Sequence, residues 1–212
     1  MATKPIATFE GTYQRAKSIL NMSRQLSGLH VADDLCRAAV IIAVAGFDRY
    51  FTAKFCDVLV PRLKSGNPLG PDLIKRLEKA GYDTEFSLIL ISESVRNRRA
   101  RPFRKIRTIV QQSLSAQTTH RDSVIDDLFL GLDLKDLTKN AAKRCGKQLP
   151  SLMKLVDLRN AIAHEAHVDS NGKPRRIDAV KVGKQIDDLA IFVRSCDEII
   201  AKRFGQQKAV SA

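Results

Sequence analysis

"CRAAVIIAVAGFDRYF", residues 36 to 51, is apolar on nearly every side, and its reading decides the fold. The alternation of a half-buried strand is missing, and so is the single stripe of a surface helix. A helix that is apolar all round is a buried one. The segment reads as the middle of the central helix of an all-α protein, running from about Val31 to Leu63. Asp33 and Asp34 fall in its first turn, where the helix dipole favours negative charge. Its most apolar part, Ala38 to Phe47, stops after ten residues at Asp48-Arg49, whereas a bilayer-spanning helix needs about 20.

Helical spacing continues on both sides. A first helix is expected over about 8 to 28, with Ile19, Leu20, Met22 and Leu26 on its inner side. "PRLKSGNPLGP", residues 61 to 71, breaks the pattern. Shorter helices follow at about 72 to 80, 84 to 98, 102 to 116, 122 to 130 and 135 to 145, with Asp122 and Asp133 near their starts. A helix from near Pro150 to about His164 comes next, then a turn or loop at "DSNGKPRR". The final helix spans about Asp178 to Phe204, with Val180, Val182, Ile186, Leu189, Ile191, Phe192, Ile199 and Ile200 as core candidates. No strand and no internal repeat is visible. The whole chain, 1 to 212, reads as one domain in which 62 to 148 is a helical insertion into a smaller bundle.

With 44% apolar and 28% charged residues, 11 Gly and 7 Pro, the chain has the balance of a folded protein, and 212 residues suffice for a sizeable core. Its net charge of +13 is unevenly placed: from Ser94 to Arg121 there are eight Lys or Arg and no acid. A polyanion is the partner this implies. Nucleic acid fits better than a membrane, because the basic block lacks the wide apolar face of an interfacial helix. Cys36, Cys56, Cys145 and Cys196 form no C-x-x-C pair and read as reduced thiols in a cytoplasmic protein. The opening residues, MATKPIATFEG, have no apolar h-region of a secretory signal.

"LRNAIAHEAH", residues 158 to 167, interrupts an apolar helix with polar residues. At about 100° per residue, Leu152, Leu155, Val156, Leu158, Ile162, Ala163 and Ala166 share one arc, and Arg159 falls near its middle. A guanidinium there must pair with an acid or face a cleft or a partner chain, since an unpaired buried charge costs several kcal/mol. Asn160 and His164 stack on the flank of the same helix. Arg159 and His164 stand about 140° apart, so the spacing permits a joint site without requiring one. Asp48 lies on the stripe of Ile41, Val44, Ala45, Phe55 and Leu59, and is the acid best placed to meet Arg159. Such a pair could equally do no more than fix the packing of two helices. His164 could serve as a C-terminal cap, favoured there by the dipole. H-E-x-H is not the H-E-x-x-H spacing that sets two imidazoles on one helix face, so no metal site is expected at His164, Glu165 and His167.

"LRNAIAH" resembles the R-x(4-6)-H signature of the HEPN superfamily, with Asn160 directly after Arg159 as is common there. "RAAVIIAVAGFDRYF", residues 37 to 51, is similar to the long second helix of its RiboL-PSP subgroup, where Asp48 takes the place of the acid. The two matches and the position of the motif on the penultimate helix cover about half the chain; residues 62 to 148 have no assigned counterpart. The resemblance implies a helical bundle that dimerises and, in active members, an endoribonuclease that needs neither metal nor cofactor and leaves a 2′,3′-cyclic phosphate. It gives Arg159, His164 and Asn160 catalytic roles and Asp48 a supporting one. Each chain offers one credible His where an acid and a base are both required, so two motifs meeting across a two-fold axis would complete the site.

In that reading "VRNRRARPFRKIR", residues 95 to 107, holds the RNA backbone through Arg96, Arg98, Arg99, Arg101, Arg104, Lys105 and Arg107, with Phe103 as a stacking platform. The plainer reading of the same residues is a solvated helix face and loop. A toxin or antiviral defence nuclease is the expected setting, with room for an antitoxin or effector partner. The alternative is an inactive HEPN-like dimer that binds nucleic acid or a partner effector without cutting.

Overall fold

Four aromatic rings of one helix, Phe47, Tyr50, Phe51 and Phe55, are all at most 1% exposed. They lie on α2 (His30–Lys64), around which the other elements pack: α1 (Lys4–Gln25), α3 (Pro71–Lys79), α4 (Pro102–Ser115), α5 (Asp122–Leu130), α6 (Leu137–Arg144), α7 (Leu149–Glu165) and α8 (Ala179–Gly205). The computed structural model describes residues 4–64, 69–81, 102–115, 121–165 and 167–205. Among these, the one β pairing is the isolated bridge of Val168 with Pro174, so the fold is all-α, as the sequence implies. The helix expected over 84 to 98 lies outside the described residues.

Aromatic packing, both edge-to-face and stacked, ties the core together. Phe51 and Phe55 meet Phe129 of α5 with centroids 6.2 and 6.0 Å apart, and Phe47 meets Phe192 of α8 at 6.3 Å. Such pairs add about 0.5–1.5 kcal/mol each beyond the area they bury. The central helix is not buried throughout: Ile41 is 39% exposed. One polar group is enclosed within it. Lys54, 4% exposed, reaches Asp197 of α8 at 2.5 Å, and Tyr50 donates to the same carboxylate at 2.8 Å.

Two inner faces differ from their expected composition. Met22 on α1 and Leu26 just past its end are exposed, and the buried series is Ile6, Phe9, Ala16, Leu20 and Ser23, which keeps a stricter helical period. On α8, Val180 and Ile191 are exposed. Asp133 starts no helix; it has φ of 60° four residues before α6 and accepts a bond from Arg62 at 3.1 Å.

α1 lies close on α2 because Gly46 has no side chain. A Cβ there would stand 2.7 Å from Thr12 Cγ2, whose hydroxyl is bonded to the Thr8 carbonyl. Gly46→Ala is expected to destabilise the fold by about 1 kcal/mol, the overpacking cost exceeding the gain in helix propensity. Chemical denaturation of Gly46→Ala with and without Thr12→Ser checks this, since removing the Thr12 methyl should return most of the loss.

Candidate functional site

α7 carries the anomalous helix face. Leu152, Met153, Leu155 and Val156 are buried, Leu158 and Ile162 pack partly against the core, and Arg159 is half-buried among them. Its Nη1 donates to Asn160 Oδ1 at 3.1 Å. Neighbouring side chains on a helix point about 100° apart, so this contact requires both to lean along the surface, and it fixes the Arg159 rotamer from within the motif itself. The expected salt bridge with Asp48 is not formed. Arg159 and Asp48 instead both line a cavity of about 1390 Å³.

The cavity is walled by α1, α2 and α4, with Arg159 contributed by α7. Its described lining holds six cations, Lys4, Arg49, Lys64, Arg104, Arg107 and Arg159, against Asp48 and Asp57. Arg107 pairs with Asp57, and Lys64 Nζ stands 5.4 Å from the centre of the Phe103 ring. Phe103 is therefore covered on one face by a cation in this state. A low-dielectric wall with excess positive charge attracts and holds phosphate groups.

Of the basic residues expected to hold RNA, Arg104 and Arg107 line this cavity, while Lys105 and Arg104 line a shallower depression outside it. Arg96, Arg98, Arg99 and Arg101 lie outside the described residues. Arg49 and Lys64 are cavity residues absent from the sequence-based set. Ala45, Arg49, Ala53, Asp57, Val60 and Lys64 line it at spacings of three and four, a largely small and polar stripe down α2 that is legible once the cavity is known.

His164 is in the last turn of α7, exposed, and is not part of the cavity lining. Arg159 and Asn160 are thus brought together, and His164 is exposed outside the cavity lining. His167 ends the helix differently from an extra ligand: its N–H donates to the Ala161 carbonyl at 3.1 Å, and its Nδ1 is buried with no hydrogen-bond partner. No group of three or more His, Cys, Asp or Glu near enough to share a metal ion occurs among the described residues.

Burial, then the charges of Arg37 and Arg175, push the His167 pKa below 6.5, with Asp33 opposing. The folded protein thus binds this proton less readily than the unfolded chain. As pH falls through about 6.5 the unfolded state takes up the proton first, so stability present at neutral pH is progressively lost down to the folded-state value. Denaturation midpoints measured from pH 7.5 to 5.5 are expected to fall, and His167→Asn, which tolerates the positive φ of 49° here, should flatten the curve.

The thiols carry no chemistry at this site. Cys36 and Cys56 are buried and their pKa values are pushed up to about 11 by that burial, which keeps them protonated and unreactive. Among the described residues, no helix is long and apolar enough to cross a membrane.

The model of the RiboL-PSP-HEPN family matches residues 12–202, a span that includes α2, the cavity walls on α4 and the Arg159 to His164 motif. No curated protein and no solved structure matches the chain.

Proposed function

The chain belongs to the RiboL-PSP-HEPN family, and from that premise we propose that it is a metal-independent endoribonuclease acting in a toxin or antiviral defence system. The observation that carries this reading is Arg159: a half-buried guanidinium on an apolar helix face, held by Asn160 and opening on a cation-lined cavity. A structural arginine in that position would be expected to close on a carboxylate, and Asp48, the acid its helix stripe points to, shares the cavity with it instead.

In the proposed reaction a ribose 2′-OH attacks the adjacent phosphorus. The new 2′-O–P bond forms as the P–O5′ bond breaks. His164 takes the 2′-OH proton, and the leaving O5′ takes a proton from the second imidazole, supplied by His164 of another copy of the chain across a two-fold axis. Arg159 meets the negative charge that builds on the phosphoryl oxygens. Asn160 holds the guanidinium in place, and Asp48 biases the cavity side of Arg159. The products are a 2′,3′-cyclic phosphate end and a 5′-hydroxyl end. The basic residues of 62 to 148, a segment we take as an insertion into the bundle, track the RNA backbone.

The purified full chain is expected to cut single-stranded RNA in EDTA, with the cyclic phosphate identified by product mass and a dimer seen by native mass measurement. Products with linear 3′-phosphates from the first turnover, or cleavage that stops in EDTA, would overturn it. A second reading, a non-cutting dimer that binds nucleic acid or a partner effector, draws on the placement of His164 outside the cavity that Arg159 lines. It predicts salt-sensitive RNA binding with no cyclic phosphate.

A further inference from the structure

The last turn of a helix has carbonyls without intrahelical donors and tends to fray. His164 sits in such a turn, yet the turn is tied down from outside. The His167 N–H donates to the Ala161 carbonyl at 3.1 Å, and the His167 carbonyl accepts from the Arg175 N–H at 2.9 Å. Residues 167 to 175 form a small hairpin, closed by the Val168–Pro174 bridge and by Asp169, whose Oδ1 accepts from the N–H groups of Asn171 and Lys173 at 2.9 Å each. The returning arm of the hairpin, at the end it shares with His167, is held by the central helix: Arg37 Nη2 donates to the Arg175 carbonyl at 2.6 Å. Nη1 of the same guanidinium donates to Asp34 at 2.8 Å, and the Arg37 side chain is only 11% exposed. A continuous set of hydrogen bonds thus runs from α2, through the hairpin, to the final turn of α7.

We propose that Arg37 is a positioning residue for His164, anchoring the hairpin of residues 167 to 175 to α2 and so fixing the helix turn that carries the imidazole. An exposed His on a fraying turn samples a range of positions, and proton transfer in a cleavage reaction needs one held to within a fraction of an ångström. The planar guanidinium suits the task because its two Nη groups reach two acceptors at once, a carboxylate on its own helix and a carbonyl on the hairpin, which a lysine cannot do in a fixed geometry. A guanidinium so far removed from water, with its Nε buried and unbonded, is costly to keep unless the contacts it makes are needed. The neutral His167 fits the same arrangement, since a proton there would face Arg37 and Arg175.

The kinetic arm of this inference rests on the endoribonuclease reading; the structural arm does not. The test compares Arg37→Ala, Arg37→Lys and Asp169→Ala with the wild type, all as the full chain. Arg37→Ala is expected to lower kcat for RNA cleavage by about tenfold to a hundredfold with KM unchanged, the range an ångström-scale misplacement costs. Arg37→Lys should recover part of it. In the same variant, hydrogen exchange at the His167 and Arg175 amides should speed up at least about tenfold, and the His164 Cε1–H resonance should shift or broaden, while the α8 amides keep their protection. Asp169→Ala loosens the hairpin from its other end without touching α2, and carries the same readouts if Arg37→Ala does not fold. Unchanged exchange at His167 and Arg175, or faster exchange with kcat and the His164 resonance both unchanged, would overturn the role. If the wild type does not cleave RNA, the ribonuclease reading fails, and the exchange and His164 resonance decide the positioning by themselves.

Discussion

Adding a ninefold excess of His164→Ala chains to the wild type, under conditions that let subunits exchange, is expected to cut RNA cleavage per wild-type chain to about one tenth. The expectation follows from counting imidazoles. In the proposed mechanism each chain supplies one His to a reaction that needs both a base and an acid, so a mixed dimer would hold half of the pair and be inactive. With random exchange, the chance that a wild-type chain finds a wild-type partner equals the wild-type fraction. Two self-sufficient sites would instead leave activity per wild-type chain unchanged at any ratio. By itself His164→Ala should lose about 10²- to 10⁴-fold in kcat, the usual contribution of general acid–base catalysis. Arg159→Ala should lose about 10²- to 10³-fold, as removing one charge-stabilising donor does elsewhere. Undiminished cleavage by His164→Ala would remove the mechanism altogether. The result also bears on why His164 stands outside the cavity that Arg159 lines in the single chain, since the proposed composite site would bring the two together only across a dimer.

The long buried helix, those short helices after it that the structure describes and most of the apolar face of the last helix were legible because each writes its period directly into the residue pattern. Boundaries agreed to within a few residues, the scatter expected at frayed ends. Where the pattern misled, the cause is that hydrophobicity marks a residue's chemistry and not its neighbours. Met22, Leu26, Val180 and Ile191 are apolar yet exposed, while Ser23 and Lys54 are polar yet buried, each satisfied by a partner on another turn or helix, the Ala32 carbonyl and the Asp197 carboxylate. The Arg159 anomaly was visible from one helix wheel. Its companion was not: a wheel ranks acids by their stripe, and so points to Asp48, whereas the guanidinium turns to the adjacent Asn160, a choice made by side-chain torsions that no periodicity records. The cavity itself, and the roles of Arg49, Lys64 and Arg37, depend on how four helices and a hairpin meet. Such meetings are set by long-range packing.

Asp197→Ala is expected to lower the stability of the fold by about 3 kcal/mol, read as a shift in the denaturant midpoint at neutral pH with little change in slope. The Asp197 carboxylate joins α2 to α8 by accepting from Lys54 at 2.5 Å and from Tyr50 at 2.8 Å, in a setting where Lys54 is 4% and Asp197 17% exposed. Removing it takes away the carboxylate while the ammonium stays enclosed, and the loss of a charge's partner in a buried pair costs about 3–5 kcal/mol. The low end applies because Asp197 retains some contact with water, which screens what remains. Tyr50 loses its acceptor as well; burial, with Asp197 next, pushes its pKa far above 10.0, so it stays a neutral donor across the accessible range. Replacing both charges together, as in Lys54→Met with Asp197→Leu, should cost much less than Asp197→Ala, since no ion is then left in the core. If the double variant were as unstable as the single one, the pair would be stabilising in its own right and not chiefly a solution to an enclosed lysine. Because α2 also carries Asp48, Arg49 and the Arg37 anchor, a fold loosened at Asp197 should show its first functional loss in cleavage rate, ahead of global unfolding, as α2 and α8 part.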